Sequence, residues 1–115
     1  MKHNKLVRDK IPEIIAEHGE RPVTRILDDV EYKQELKKKL HEEVEEFDRS
    51  ESIEELVDVL EVVYALAATQ KISPEQLEAM RQEKRKERGG FDRRIFLIET
   101  LPPNEHGSTT TNPNV

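Results

Sequence analysis

"KKLHEEVEEFDRSESIEELVDVLEVVYALAA", residues 38–68, sets two helical patterns end to end and places acidic residues where each pattern calls for an apolar one. In the first half Leu40, Val44 and Phe47 continue a stripe begun at Leu36. At roughly 100° per residue Glu43 projects into about the same sector, with Glu46 at its margin. In the second half Ile53, Leu56, Val57, Leu60, Val63, Tyr64 and Ala67 form a broad apolar face, and Val59, Val62 and Leu66 cover much of the remainder. Glu55 and Asp58 are among the few polar positions there; three apart, they share a face, and Glu61 follows on the same side. "DRSES", residues 48–52, predicts a short break, so the two helices become antiparallel neighbours. With their faces suitably rotated, Glu43 and Glu46 stand opposite Glu55 and Asp58.

Outward from this pair the pattern stays helical. Asp9 is the expected cap of a first helix, with Pro12 in its opening turn and Gly19 as its stop. "ERPVTRILDD", residues 20–29, has β-branched residues and a proline but no helical period, and reads as an extended connection ending at a cap on Asp28 or Asp29. The second helix is predicted from near Glu31 to Phe47. The third runs from Ile53 to about Gln70, capped by Ser50 or Ser52 with Glu55 as the reciprocal capping-box residue. Ser73, Pro74 and Gln76 open a fourth that ends before Gly89 and Gly90. "FDRRIFLIETL", residues 91–101, reads as a short strand or an ordered arm, and the Pro, Asn, Gly and Thr content beyond it as a flexible tail. The expectation is one all-α, four-helix-like domain over residues 1–100 and a C-terminal tail over 101–115.

Composition narrows the function. Lys+Arg 19 against Asp+Glu 25 gives a net charge of -6, which supplies no general attraction to a nucleic-acid backbone and disfavours duplex DNA. Aromatic residues at 4% leave few platforms for stacking bases. The absence of cysteine excludes disulfides and thiolate metal sites, and no long apolar run or signal-peptide pattern is visible, so a cytoplasmic protein that does not enter a membrane is expected. His3, His18, His41 and His106 have no zinc-binding spacing, and the phosphate-binding G-x-x-x-x-G-K-[ST] loop is absent.

Four carboxylates facing one another in a partly buried cleft repel, and each unpaired ionised oxygen carries a desolvation cost. Hard divalent cations, Mg²⁺ or Mn²⁺, favour oxygen ligands and can bind phosphate oxygens at the same time. The plain alternative is a solvated acidic face in a chain with 38% charged residues. "RQEKRKERGG", residues 81–90, supplies positive charge at a helix end, where Lys84 and Arg88 share a face suited to β and γ phosphates. The same residues also suit the negative end of a helix dipole. In "KLVRDKIP", residues 5–12, Arg8 and Lys10 either reach phosphate or pair with acidic surface residues while Leu6, Val7 and Ile11 pack.

"EEVEE" over 42–46 followed by "ELVD" over 55–58 resembles the E-E-x-x-E and E-x-x-D signature of the all-α nucleoside triphosphate pyrophosphohydrolases, which include the MazG-like enzymes and phosphoribosyl-ATP pyrophosphohydrolase. "KLVRDKIPEII" and "KRKERGGF" resemble the MazG-related branch described as phosphoribosyl-ATP pyrophosphohydrolase-like, so the likeness spans Lys5 to Phe91. The resemblance implies a MazG-type domain with Mg²⁺-dependent cleavage between the α and β phosphates of a nucleotide. It implies metal-binding roles for Glu43, Glu46, Glu55 and Asp58, with Glu42 in the leading acidic position; Glu42 and Glu46 are the candidates for accepting the proton of the attacking water. The short interval between Glu46 and Glu55 implies a tight hairpin. The many-sided apolar third helix predicts a homo-oligomer, a dimer before a tetramer, and the resemblance points the same way. Two other readings fit the acidic pattern: a non-catalytic helical interaction or regulatory module that meets a basic partner, and a metal-binding protein without hydrolysis.

Overall fold

The computed structural model describes residues 1–104. Among them there are four helices and no strand: α1 (Ile11–Glu17), α2 (Asp29–Ser50), α3 (Ile53–Thr69) and α4 (Pro74–Arg88). The all-α class expected from the sequence is the class observed.

The helix ends show which local signals were obeyed. At α4 the capping box closes in both directions: Gln76 N–H donates to Ser73 Oγ at 3.1 Å and Ser73 N–H donates to Gln76 Oε1 at 2.8 Å. At α2, Asp28 is extended and its Oδ1 accepts the Glu31 N–H at 2.8 Å. At α3, Ser52 Oγ accepts the Glu55 N–H at 3.3 Å, but the box is half made, because Ser52 N–H donates to Ser50 Oγ. The Glu55 carboxylate is thereby left to other contacts. Gly19 and Gly89 follow α1 and α4 with φ of 88° and 85°, backbone that a side-chain-bearing residue adopts only under strain.

Two boundary expectations are corrected. Asp9 does not cap α1: the residue before the helix is Lys10, already in right-handed helical geometry with no side-chain cap bond. The Ile11 N–H bonds to the Arg8 carbonyl at 3.0 Å, so a turn feeds the helix and no extended cap residue precedes it. The break after α2 is also shorter than "DRSES". Asp48, Arg49 and Ser50 stay helical, and the turn is made by Glu51, left-handed at φ 53°, whose N–H bonds to the Phe47 carbonyl at 2.7 Å.

The chain divides into two compact units, Met1–Leu77 and Glu78–Val115, with the boundary inside α4. In the first, α2 and α3 pack as an antiparallel hairpin. Leu36 and Val62 are its buried apolar residues, while Leu40, Phe47, Val59, Val63, Tyr64 and Leu66 are half-buried. A second apolar side stays open: Val44, Leu56, Val57 and Leu60 are 43–55% exposed and Ile53 is 73% exposed.

In the second unit Arg85 pairs with Asp92 at 3.0 Å, and its guanidinium lies where a Cβ at Gly90 would have to stand. Beyond it, residues 95–104 form neither helix nor strand, and Ile95, Phe96, Leu97, Ile98 and Leu101 are exposed. The strand reading of 91–101 therefore fails among the described residues, since an isolated strand has no ladder partner to satisfy it. Residues 105–115, most of the expected tail and including His106, lie outside the described residues. No helix among the described residues is long and apolar enough to cross a membrane.

Candidate metal centre

The tight hairpin carries Glu43 of α2 toward the first two turns of α3. There Glu43, Glu55 and Asp58 each place a carboxylate oxygen within 4.8 Å of the others. Their placement follows from the pattern that made them conspicuous. Glu43 sits on the packed stripe of α2 with its side chain only 14% exposed, and Glu55 and Asp58, one turn apart, share the α3 face turned toward it.

The electrostatics are unbalanced. Oε2 of Glu55 is buried without a hydrogen-bond partner. Burial, the Glu43 carboxyl within hydrogen-bond reach, and the charges of Glu43, Asp58 and Glu46 hold the Glu55 carboxyl above its ordinary pKa. Two cations moderate the cluster. Lys39 Nζ lies 3.7 Å from Glu43 and 3.9 Å from Glu42, one turn away on the same helix. Arg8, from the segment before α1, donates Nη2 to Asp58 Oδ1 at 2.6 Å. Three carboxylates, one with an orphaned oxygen, make an all-oxygen donor set of the kind hard divalent cations take. The residues present fit such an ion, and the buried unpartnered oxygen is the observation in its favour.

The other expected site residues have varied surroundings. Glu46 is not in the group: its Oε1 accepts from Arg49 Nη2 at 2.6 Å, a local pair one turn apart. Glu42 is half-exposed and faces Lys39. Lys10 is exposed at the start of α1. Lys84 and Arg88 are exposed, belong to the second unit and form no ion pair among the described residues. Arg8 does pair with an acidic residue, and that residue is Asp58. The Lys39–Glu43 pair has a local signal in its i,i+4 spacing. The Arg8 contact spans fifty residues, and no local pattern announces it.

A shallow groove of about 420 Å³, lined in part by Asp29, Tyr32, Lys33, Ala65, Thr69 and Lys71, lies at the end of the hairpin away from its turn and includes none of Glu43, Glu55 and Asp58. A scan against protein-family models, a search of curated proteins and a search of solved structures each found no match.

Proposed function

We propose that the chain is a metal-dependent nucleotide pyrophosphohydrolase on a MazG-type helical domain, cleaving between the α and β phosphates to release a monophosphate and pyrophosphate. The observation that carries this reading is the meeting of Glu43, Glu55 and Asp58 at one point of the hairpin, with a buried oxygen of Glu55 unpartnered. These three residues would hold Mg²⁺, or Mn²⁺ in its place. Bound there, the ion would supply Lewis-acid polarisation of phosphoryl oxygens and a lowered pKa for water. Glu46 is proposed as a fourth ligand or as the proton acceptor after release from Arg49, and Glu42 as the alternative proton acceptor; both are carboxylates within one turn of Glu43. Arg8 and Lys10 are the cations of the first unit proposed to meet substrate phosphates, and Lys84 and Arg88 of the second unit are proposed as phosphate contacts from their sequence pattern alone.

The open apolar side of the hairpin supports assembly as a homodimer. Val44, Leu56, Val57 and Leu60 would leave water against a second copy, at about 25 cal/mol for each Å² of apolar surface covered.

The test is turnover of a nucleotide panel that includes phosphoribosyl-ATP, with Mg²⁺ and with a chelator. Chelation is expected to stop the reaction, and Glu43→Gln and Asp58→Asn to lower it by about 100-fold or more at unchanged helix content, the scale of losing an essential electrostatic group. Normal turnover by both variants at saturating Mg²⁺ would remove this site. Specific metal retention with no turnover, and stabilisation by a basic protein partner, would instead support the interaction-module reading.

A further inference from the structure

The carboxylate cluster already has a cation delivered to it from outside the hairpin. Glu46 and Glu43 are met by Arg49 and Lys39 from their own helix. Arg8 differs, since it arrives from the segment before α1 and bonds Asp58 Oδ1 at 2.6 Å. Its approach is built in. Leu6, Val7 and Ile11 around it are half-buried, and its carbonyl accepts the Ile11 N–H at 3.0 Å, so the backbone that carries the guanidinium is tied down. The side chain itself is 52% exposed and has room to move.

A guanidinium on Asp58 and a divalent ion among Glu43, Glu55 and Asp58 cannot be neighbours without cost. They share one carboxylate, and like charges a few ångströms apart repel. Yet without a divalent ion the three carboxylates need positive charge, and Arg8 supplies it. We propose that Arg8 is an exchangeable counter-cation: it holds Asp58 when no metal is bound, cedes it to the divalent ion, and is thereby released to pair with a phosphate of the incoming substrate. This rests on the metal-centre reading above and adds to it a switch that couples metal arrival to anion binding. The guanidinium suits both states, since its planar donors pair equally with a carboxylate and with phosphate oxygens.

The experiment uses the full chain and needs no turnover. Mn²⁺ affinity is measured from the electron paramagnetic resonance signal of the free ion for the wild type, Arg8→Gln and Asp58→Asn. Arg8→Gln is expected to bind Mn²⁺ about three- to fivefold more tightly, the scale of removing one partly exposed ion pair. Because loss of any nearby positive charge favours a cation, a second readout isolates exchange. During Mg²⁺ titration of the wild type, the Arg8 guanidinium resonance, assigned by its absence in Arg8→Gln, should move to the position of a free guanidinium with the half-point of metal binding. Pyrophosphate should then bind the Mn²⁺-loaded wild type several-fold more tightly than loaded Arg8→Gln. An unchanged or weaker Mn²⁺ affinity in Arg8→Gln, a guanidinium signal that stays put at saturating Mg²⁺, or equal pyrophosphate binding overturns the switch. If Mn²⁺ binds the wild type and is lost in Asp58→Asn while Arg8 has no effect, only the switch fails. If the wild type does not bind Mn²⁺, the metal centre fails and the switch with it.

Discussion

Glu43→Gln should make the metal-free protein more stable and the metal-loaded protein less so. Oxygens of Glu43 and Asp58 lie within 4.8 Å. Two unit charges at that separation repel by about 3 kcal/mol at the effective dielectric constant of ~20 suited to a partly exposed site, and by about 1 kcal/mol in water. Arg8 on Asp58 and Lys39 on Glu43 offset part of this. The substitution also gives up the Lys39 pair, worth roughly 0.3–0.5 kcal/mol on a helix surface. The net expectation without metal is a gain of about 1 kcal/mol, read as a melting temperature higher by about 4–8 °C for a domain of this size. With a divalent ion at a hundred times its dissociation constant, the wild type gains about 2.7 kcal/mol by linkage, and the variant, one ligand short, gains a fraction of that. The order of stability then inverts. Thermal melts by circular dichroism in a chelator and in excess Mg²⁺ read both halves. A variant less stable than the wild type in chelator, or one with an undiminished Mg²⁺ gain, would refute the reasoning.

Other substitutions test the surroundings of the cluster. Leu36 is 3% exposed, so Leu36→Ala should cost about 2–5 kcal/mol in urea unfolding; a loss below ~1 kcal/mol would mean that the hairpin is held by something other than this core. Because the folded Glu55 carboxyl is held above its ordinary value of 4.5, chiefly by burial and then by Glu43, the folded state keeps a proton that the unfolded chain has released. Metal-free stability relative to Glu55→Gln should therefore fall as pH rises from about 4.5 through the raised value, and Mg²⁺ should flatten the slope; a rise through that window would contradict it. Glu78, held down to about 2 by Arg81 and Gln82, contributes stability that is lost as pH falls from 4.5 toward 2, so the two windows do not overlap. Leu60 is 46% exposed on the open apolar side, and Leu60→Lys should shift the protein from dimer to monomer by light scattering; a wild type that is already monomeric and fully active at low micromolar concentration would defeat the assembly.

Much of this was legible because it is local. Ser73, Pro74 and Gln76 form a helix start whose partners all lie within three residues, and the structure closes that box as written. The meeting of Glu43, Glu55 and Asp58 is legible because each interrupts an apolar face, and a two-residue turn leaves an antiparallel pair little freedom to separate them. Glu46 shares the margin of that face, but its pairing with Arg49 one turn away depends on side-chain rotamers that the helical period does not register. Asp9 had the right chemistry for a cap, but its neighbour Lys10 adopts helical geometry and leaves no capping position for it. Glu51 has no side-chain signal for the left-handed conformation that ends α2, so the sequence pattern does not mark where the helix stops. Arg8 and Asp58 meet only because the segment before α1 reaches α3, a matter of long-range packing that helical period cannot register.

The most direct test of the central claim is the identity of the products. Purified protein with Mg²⁺ and a nucleoside triphosphate it turns over should release the nucleoside monophosphate and pyrophosphate in equal amounts, separated by ion exchange and quantified together. Glu43→Gln and Asp58→Asn, prepared in parallel, should release neither above background. Nucleoside diphosphate with inorganic phosphate would place cleavage at the terminal phosphate and contradict the account, as would equal turnover by the two variants.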